Sequence, residues 1–187
     1  MKLNRSRRSN IIFFGLILIL IIPQTRQPIQ VLLHKGLALF GTSIIDENKR
    51  EQLKFENWNL MGLNGDQINF KSLEGEVIFL NFWATWCPPC IAEMESIQSL
   101  YDDYNTKVRF VLISNEPSEV VTAFFEKEGY DMEVYSPLSE YPEDLNVRSI
   151  PRTYIIDKQG KVVIDKSGAA NWNSNAIREQ LELLLAQ

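Results

Sequence analysis

The chain has very few of the side chains that most metal sites and nucleophilic sites require. Its 187 residues include a single histidine, His34, and only two cysteines, Cys87 and Cys90. Zinc sites in proteins usually have four ligands, so this composition argues against zinc binding. A nucleophilic Cys–His pair in the globular region would lack its base. We instead expect His34 to be a solvated residue beside the N-terminal apolar segment.

Basic charge and low-complexity sequence are also scarce. The chain has 19 Lys and Arg against 24 Asp and Glu, a net charge of −5, which argues against nucleic-acid binding. Nine glycines and eight prolines exclude a collagen-like or low-complexity architecture. A hydrophobic content of 45% is enough for a core and excludes global disorder. The length fits one domain of ordinary size with a smaller additional part.

Acidic side chains are absent from the first 35 residues. The six basic residues there are Lys2, Arg5, Arg7, Arg8, Arg26 and Lys35. The rest of the chain has 13 basic and all 24 acidic residues, a net charge of −11. A basic leader, residues 1–10, followed by the apolar run 11–22 is typical of a secretory signal or membrane anchor. Its positive flank would stay in the cytoplasm.

The apolar run is short for a membrane span. As a helix its 12 residues would extend roughly 18 Å, against a hydrocarbon core of ~30 Å. Length favours a cleavable signal peptide, yet residues 22–26 contain no A-x-A-like cleavage site, and no lipid-attachment cysteine follows. Arg8 and Arg26 can reach opposite interfaces and extend the span. We predict an uncleaved anchor, with a cleaved signal or a buried soluble helix as alternatives.

Residues 23–54 are predicted to form an amphipathic segment and a linker. The apolar residues that recur there at helical spacing are Ile29, Leu32, Leu33, Leu37 and Phe40. Such a helix would lie along the outer membrane surface or, alternatively, pack on the globular domain. The mostly charged stretch 46–54 suits a solvated linker.

Residues 55–187 alternate between strand and helix patterns. Alternating segments on either side of Asn64-Gly65 predict an N-terminal β-hairpin. Continuous apolar runs at 77–82 and 108–114 predict strands that are buried on both faces. Further expected elements are a helix after Cys90, a helix from its cap Ser118 towards Gly129, strands at 132–135, 152–156 and 162–165, and a helix at 175–186. The order predicts an α/β fold with a central mixed sheet flanked by helices.

The candidate chemistry lies in one segment, Phe82-Trp83-Ala84-Thr85-Trp86-Cys87-Pro88-Pro89-Cys90. A C-x-x-C at a strand-to-helix turn places the first sulfur at the helix N-terminus, where the dipole and free amides lower a thiol pKa. We expect Cys87 to be the exposed attacking thiol and Cys90 the shielded resolving thiol. Pro88 and Pro89 lack N–H groups, which predicts a milder pKa depression and a more reducing pair. A purely structural disulfide closing so short a loop would stabilise little.

This segment resembles the active-site segment of the thioredoxin superfamily. Together with the hairpin near Trp58, Ile150-Pro151 and the turn at 156–160, it makes residues 55–187 similar to the TlpA/ResA branch. Members of that branch are membrane-tethered thiol–disulfide oxidoreductases of the bacterial cell envelope. The resemblance implies a thioredoxin-like fold with an N-terminal β-hairpin and a central strand–helix insertion between Cys90 and Pro151.

The resemblance also implies an acid–base residue beside the cysteine pair. Glu93 matches an acidic residue that ResA-like members keep near their cysteines, and its i+3 spacing places it on the same side of the helix as Cys90. There it would exchange a proton with Cys90. The alternative is a surface glutamate like Glu95. Asn81 stands where thioredoxin has a buried aspartate, which shifts the proton relay towards Glu93.

Substrate contacts are implied on both sides of the pair. Pro151 matches the superfamily's cis-proline, which faces the disulfide, and Ile150 precedes it. Trp86, Pro88 and Pro89 are expected to border the same docking surface, although aromatic packing alone would also explain Trp86. Two tyrosines and two prolines at 135–142 either border a partner groove or form a rigid loop.

These features predict a thiol–disulfide oxidoreductase of the inner membrane, with its catalytic domain on the periplasmic side. It would reduce disulfides in exported proteins, with apocytochrome c as a candidate substrate, and a membrane thiol donor would re-reduce it. No cofactor is implied, because the electrons travel through sulfur. The alternatives are a disulfide oxidase or isomerase, and a non-redox thioredoxin-like binding module.

Overall fold

The computed structural model describes residues 9–10, 12–15, 22–38, 41–145 and 147–187. Most of the predicted leader and of the apolar run lies outside these residues. Among the helices that are described, none is both long and apolar enough to cross a membrane. The predicted bounds of the leader, anchor, linker and globular domain stay predictions.

From residue 22 onward, the described structure contains seven strands and four α-helices. The strands are β1 (Asn59–Gly62), β2 (Gln67–Asn69), β3 (Val77–Phe82), β4 (Val108–Ile113), β5 (Val134–Pro137), β6 (Arg152–Ile156) and β7 (Val162–Ser167). The helices are α1 (Pro23–Leu37), α2 (Pro88–Tyr104), α3 (Ser118–Glu128) and α4 (Asn175–Leu185). Two short 3-10 helices, Glu47–Lys49 and Phe70–Leu73, complete the set.

The strands form one mixed sheet in the order β2-β1-β5-β4-β3-β6-β7. The central strands β3, β4 and β5 run parallel, while β6 and β7 continue the sheet antiparallel beyond β3. The predicted hairpin of β1 and β2 is present, and β1 also pairs with β5. Since β5 follows α3, the insertion between Cys90 and Pro151 supplies the strand on which the hairpin docks.

Alternating side chains of the buried strand β3 separate the core into two clusters. Val77 and Phe79 lie in a cluster with buried residues of α2, α3 and α4. Ile78 and Leu80 lie in a second cluster with residues of the hairpin and the 3-10 helix after it. Both faces of β3 are therefore covered, as its continuous apolar sequence predicts.

Two local predictions differ from the structure. Ser118 is the first residue of α3 rather than its cap, because Pro117 occupies the cap position and no side-chain cap bond forms. The strand predicted at 132–135 lies two residues later, where Ser136 pairs with Met61 and Pro137 with Leu60. In this case pairing with the hairpin decides where the strand lies.

The charged stretch predicted as a linker is tied to the sheet. The Ile45 N–H donates to the Val163 carbonyl oxygen at 2.9 Å, and the Val162 N–H donates to the Glu51 carbonyl oxygen at 2.9 Å. Leu53 is buried and its N–H donates to the Gly160 carbonyl oxygen. The charged side chains of this stretch are exposed except that of Arg50, which is half-buried, while the backbone follows the edge of the sheet.

Candidate active site

The two cysteines lie where β3 passes into α2. Cys87 is the N-cap of α2, and Pro88 and Pro89 occupy the first helical positions, where the helix does not need their missing N–H groups. Cys87 and Cys90 form a disulfide with their Cα atoms 5.2 Å apart. The strand-to-helix turn predicted from the sequence therefore brings the pair within bonding distance.

One backbone donor faces the Cys87 sulfur despite the two prolines. The Cys90 N–H donates to Cys87 Sγ at 3.3 Å, so the first free amide of α2 points at this atom. Since Pro88 and Pro89 carry no N–H, they add no donor beside it. The helix N-terminus thus offers a Cys87 thiolate one direct backbone hydrogen bond.

The expectation that Cys87 is exposed is wrong for the disulfide form. Cys87 is only 4% exposed because it packs in the core cluster with Trp83 and Ala84. Cys90 has no exposed surface. Cys87 is thus slightly more exposed than Cys90, and the attacking and resolving roles of the two cysteines stay predictions.

Glu93 is a buried carboxylate that accepts three hydrogen bonds. Its Oε1 accepts from Asn81 Nδ2 at 2.9 Å. Its Oε2 accepts from the Ala170 N–H at 3.1 Å and from Trp172 Nε1 at 2.9 Å. The residue is 1% exposed, so the alternative of a surface glutamate does not hold.

Burial raises the pKa of Glu93 from 4.5 to about 7, although its hydrogen bonds oppose the rise. Asn81 is a residue of β3, and its Nδ2 also donates to Thr153 Oγ1 of the neighbouring strand β6 at 2.8 Å. Its Oδ1 is buried without a partner. A 180° rotation of the Asn81 amide would turn Oδ1 towards Glu93, where it accepts a bond from the protonated carboxyl. The cluster therefore suits a group that exchanges a proton near neutral pH.

The predicted substrate-contact residues lie at the same end of the sheet. The Ile150–Pro151 peptide bond is cis, as the resemblance implies. β6 pairs Arg152 with Phe82, which places Pro151 beside the start of the active-site loop. Trp86 is 67% exposed, whereas Pro88 and Pro89 are half-buried. The substrate roles of Trp86, Pro88, Pro89, Ile150 and Pro151 stay predictions.

Glu116 holds the active-site loop, a role that the sequence analysis does not identify. Its Oε2 accepts from the Thr85 N–H and its Oε1 from Thr85 Oγ1, both at 2.7 Å. Thr85 lies two residues before Cys87, so this carboxylate fixes the turn that carries Trp86. A glutamate between a strand and a helix has no distinctive spacing, which explains why its role is not visible in the sequence.

Comparison with known proteins identifies the family. The Redoxin family profile matches residues 43–181. The thiol-disulfide oxidoreductase ResA of Bacillus cereus is 32% identical over 133 residues, which cover 68% of this chain and 76% of that protein.

The chain belongs to the Redoxin family.

Within this family it is an enzyme of the thiol–disulfide oxidoreductase type. The ResA of Bacillus thuringiensis subsp. konkukian is 31% identical over 152 residues, covering 79% of this chain and 84% of that protein. A crystal structure of a thiol:disulfide interchange protein from Chlorobium tepidum has a TM-score of 0.57 at 23% identity, covering 72% of this chain and 97% of that one. That likeness supports the thioredoxin-like fold.

Two partners of Glu93 in this Redoxin-family site also escape prediction from sequence. Ala170 and Trp172 come more than seventy residues after Glu93 and reach it through the segment between β7 and α4. Asn81 is identifiable as unusual because it is a polar residue in an apolar strand. Its contact with Glu93 requires the packing of α2 on β3, which spacing alone does not give.

Proposed function

We propose that this enzyme is a reductase of the bacterial cell envelope, anchored in the inner membrane by residues 11–22 with its catalytic domain on the periplasmic side. Its substrates are disulfides in exported proteins, with apocytochrome c the first to test. A membrane thiol donor returns the Cys87–Cys90 pair to the dithiol state.

The observation that carries the proposal is the buried Glu93, whose pKa is about 7, three residues after the buried Cys90. A resolving thiol without solvent contact needs an internal group to take its proton. The i+3 spacing places both side chains on the same side of α2. Glu93 is therefore the proposed general base towards Cys90.

Cys87 and Cys90 together supply the two electrons that reduce the substrate disulfide. The Cys87 thiolate attacks one sulfur of the substrate disulfide, forms a mixed disulfide and releases the other sulfur as a thiolate. Glu93 takes the proton of Cys90, whose thiolate attacks Cys87 Sγ and releases the second substrate sulfur. One substrate thiolate takes the proton held by Glu93, and the other takes from solvent the proton that Cys87 lost when it ionised. The substrate thus gains two electrons and two protons, and the enzyme is left as the Cys87–Cys90 disulfide. A donor dithiol reverses the change.

The direction of electron flow is supported by the first turn of α2. A single backbone N–H faces Cys87 Sγ, and two prolines occupy the positions where further donors would stand. Weak stabilisation of the thiolate disfavours the reduced form and makes the pair more reducing.

The reduction potential of the full chain tests this direction. We expect a value near that of thioredoxin, about −270 mV, on equilibration with defined thiol buffers and alkylation of free thiols. A value of about −120 mV, that of a strong periplasmic oxidant, would contradict the proposed role as a reductase and favour a role in disulfide formation.

The role of Glu93 is tested by Glu93→Gln. We expect the resolving step to slow by about 10²-fold, the lower end of general acid–base effects, with mixed disulfide accumulating on Cys87. The pH dependence of this step near neutrality should also disappear. Glu95→Gln is the matched control on the same helix and should leave both unchanged. An unaltered pH profile in Glu93→Gln would remove Glu93 from the mechanism.

A further inference from the structure

Helix α1 contacts the domain with one face and exposes an apolar stripe on the other. Val31, Lys35 and Ala38 lie on the inner face, where Ala38 is buried and the helix packs against α2. The apolar stripe consists of Ile29, Leu32, Leu33 and Leu37, which are between 45% and 73% exposed. Four of the five apolar residues that predicted this helix therefore expose a large part of their side chains to solvent. Leu32, at the edge of the stripe, also lines the groove between α1 and the domain, and Phe40 lies outside the described residues.

Polar contacts on the inner face fix the orientation of α1. Lys35 Nζ forms an ion pair with Glu95 Oε2 at 2.7 Å. The Asn171 N–H donates to the Ala38 carbonyl oxygen at 3.1 Å. Turning the apolar stripe inward would break both contacts and expose Ala38. The stripe is thus held outward, where four large apolar side chains need a covering surface.

The charge pattern and the position of α1 favour a lipid surface as that covering. Residues 1–45 contain no Asp or Glu, so no carboxylate on α1 repels anionic headgroups, whereas residues 46–187 have a net charge of −11. α1 begins at Pro23, directly after the apolar run 11–22. A helix that starts at the bilayer edge with an apolar stripe along one side has the features of an interfacial helix.

We propose that α1 lies in the membrane interface with Ile29, Leu32, Leu33 and Leu37 in contact with lipid. This deepens the proposed function and rests on its anchor for the position at which α1 starts. α1 also forms one wall of a groove of about 610 Å³, whose other walls include Thr85 of the active-site loop and Ile91 of α2. The helix that contacts lipid therefore also borders the active site and holds it at a fixed orientation to the bilayer.

Spin labelling of the full chain in phosphatidylglycerol vesicles tests the proposal. A nitroxide is attached to p-acetylphenylalanine substituted for Leu33 and, in a second preparation, for Leu183. Both leucines are 62% exposed, and Leu183 lies on α4, so they are matched in exposure. The accessibility of each label to oxygen, which enters lipid, and to a water-soluble nickel chelate is then measured.

We expect the label at position 33 to be several-fold more accessible to oxygen than to the nickel chelate, and the label at position 183 to show the opposite order. Equal behaviour of the two labels would overturn the proposal. Protection of position 33 from both reagents would also overturn it, because a protein partner or a second copy would then cover the stripe.

Alkaline carbonate extraction of the same vesicles separates this proposal from the anchor. A chain that resists extraction but has an aqueous label at position 33 keeps the anchor and overturns the interfacial helix. A chain that is extracted, but whose label contacted lipid beforehand, loses the anchor of the proposed function while the interfacial helix stands.

Discussion

Two regions of α2 hold glutamates in opposite surroundings. Glu93 lies against the sheet and the segment before α4, where burial raises its pKa to about 7. Glu95 lies on the side that faces α1, with its side chain 73% exposed, and the hydrogen bond from Lys35 lowers its pKa. The same residue type thus has a pKa shifted in opposite directions two positions apart.

The helical period explains the difference. Cys90, Glu93 and Ile97 follow one another at intervals of three and four residues along α2 and are all buried. Glu95 falls outside this series and meets solvent and Lys35. The comparison shows that a carboxylate on the buried face of α2 suits proton exchange with Cys90, whereas one on the outer face suits attachment of α1.

Alanine substitution should give the largest difference between Glu93 and Glu95, measured as the loss in the free energy of unfolding. Glu93→Ala leaves the Ala170 N–H and the Trp172 indole N–H without a partner and removes one of the two hydrogen bonds of Asn81 Nδ2. We expect a loss of about 3–5 kcal/mol in the free energy of unfolding. Glu95→Ala removes one exposed ion pair and should cost less than about 1 kcal/mol. Guanidinium unfolding with the disulfide intact measures both. Similar losses in the two variants would contradict the comparison.

The raised pKa of Glu93 should also make the free energy of unfolding depend on pH. Below pH 4.5 the Glu93 carboxyl is protonated in both the folded and the unfolded chain. As pH rises towards about 7 the unfolded carboxyl ionises first, so the stability linked to Glu93 is lost across this window. The shift corresponds to about 3 kcal/mol.

Glu93→Gln is the variant that isolates this effect. Its amide can accept from Trp172 and Ala170 and donate to Asn81 after rotation of the Asn81 amide, so the fold should persist. Subtracting its unfolding free energies from those of the unaltered chain, at pH values from 4 to 8, should reveal the Glu93 contribution (about 3 kcal/mol). A flat difference curve would show that the carboxyl titrates at its ordinary pKa.

Glu116 extends the comparison because it is half-buried, so that its exposure is intermediate between those of Glu93 and Glu95. Glu116→Ala removes both hydrogen bonds to Thr85, and we expect a loss of about 1–2 kcal/mol together with a lower kcat/KM for a protein disulfide. Glu116→Gln should recover most of both, because an amide can accept from the Thr85 N–H and donate to its hydroxyl. A Gln variant as impaired as the Ala variant would show that the charge of Glu116 matters more than its hydrogen bonds.

The sequence predicts those parts of the fold and site that depend on local pattern. The apolar runs of β3 and β4, the Asn64-Gly65 hairpin and the C-x-x-C turn all lie where the pattern places them. The i+3 spacing of Cys90 and Glu93 is likewise a local property of one helix.

The remaining features depend on contacts that are distant in the chain. Trp172 reaches Glu93 only after the final segment folds across α2, and no periodicity encodes that contact. The prediction that Cys87 is exposed is wrong because the packing of the turn, rather than the spacing of its residues in the sequence, decides how much of Cys87 meets solvent. For α1 the sequence pattern predicts which residues form the apolar stripe, but it does not indicate whether the stripe or the opposite face of the helix packs against the domain.

The ion pair between Lys35 and Glu95 provides the smallest expected effect. Lys35→Ala removes the main cause of the lowered Glu95 pKa, so the carboxyl should return towards its ordinary value of 4.5 in a carbon-13 NMR titration. Both side chains are largely exposed, and the stability change should stay within about 1 kcal/mol and shrink as salt is added. Lys127→Ala, which breaks the exposed pair with Glu128 on α3, is the control and should leave the Glu95 pKa unchanged. If Lys35→Ala left the Glu95 pKa low, the contact between α1 and α2 would not depend on this pair, and the packing around Ala38 would have to hold the helix by itself.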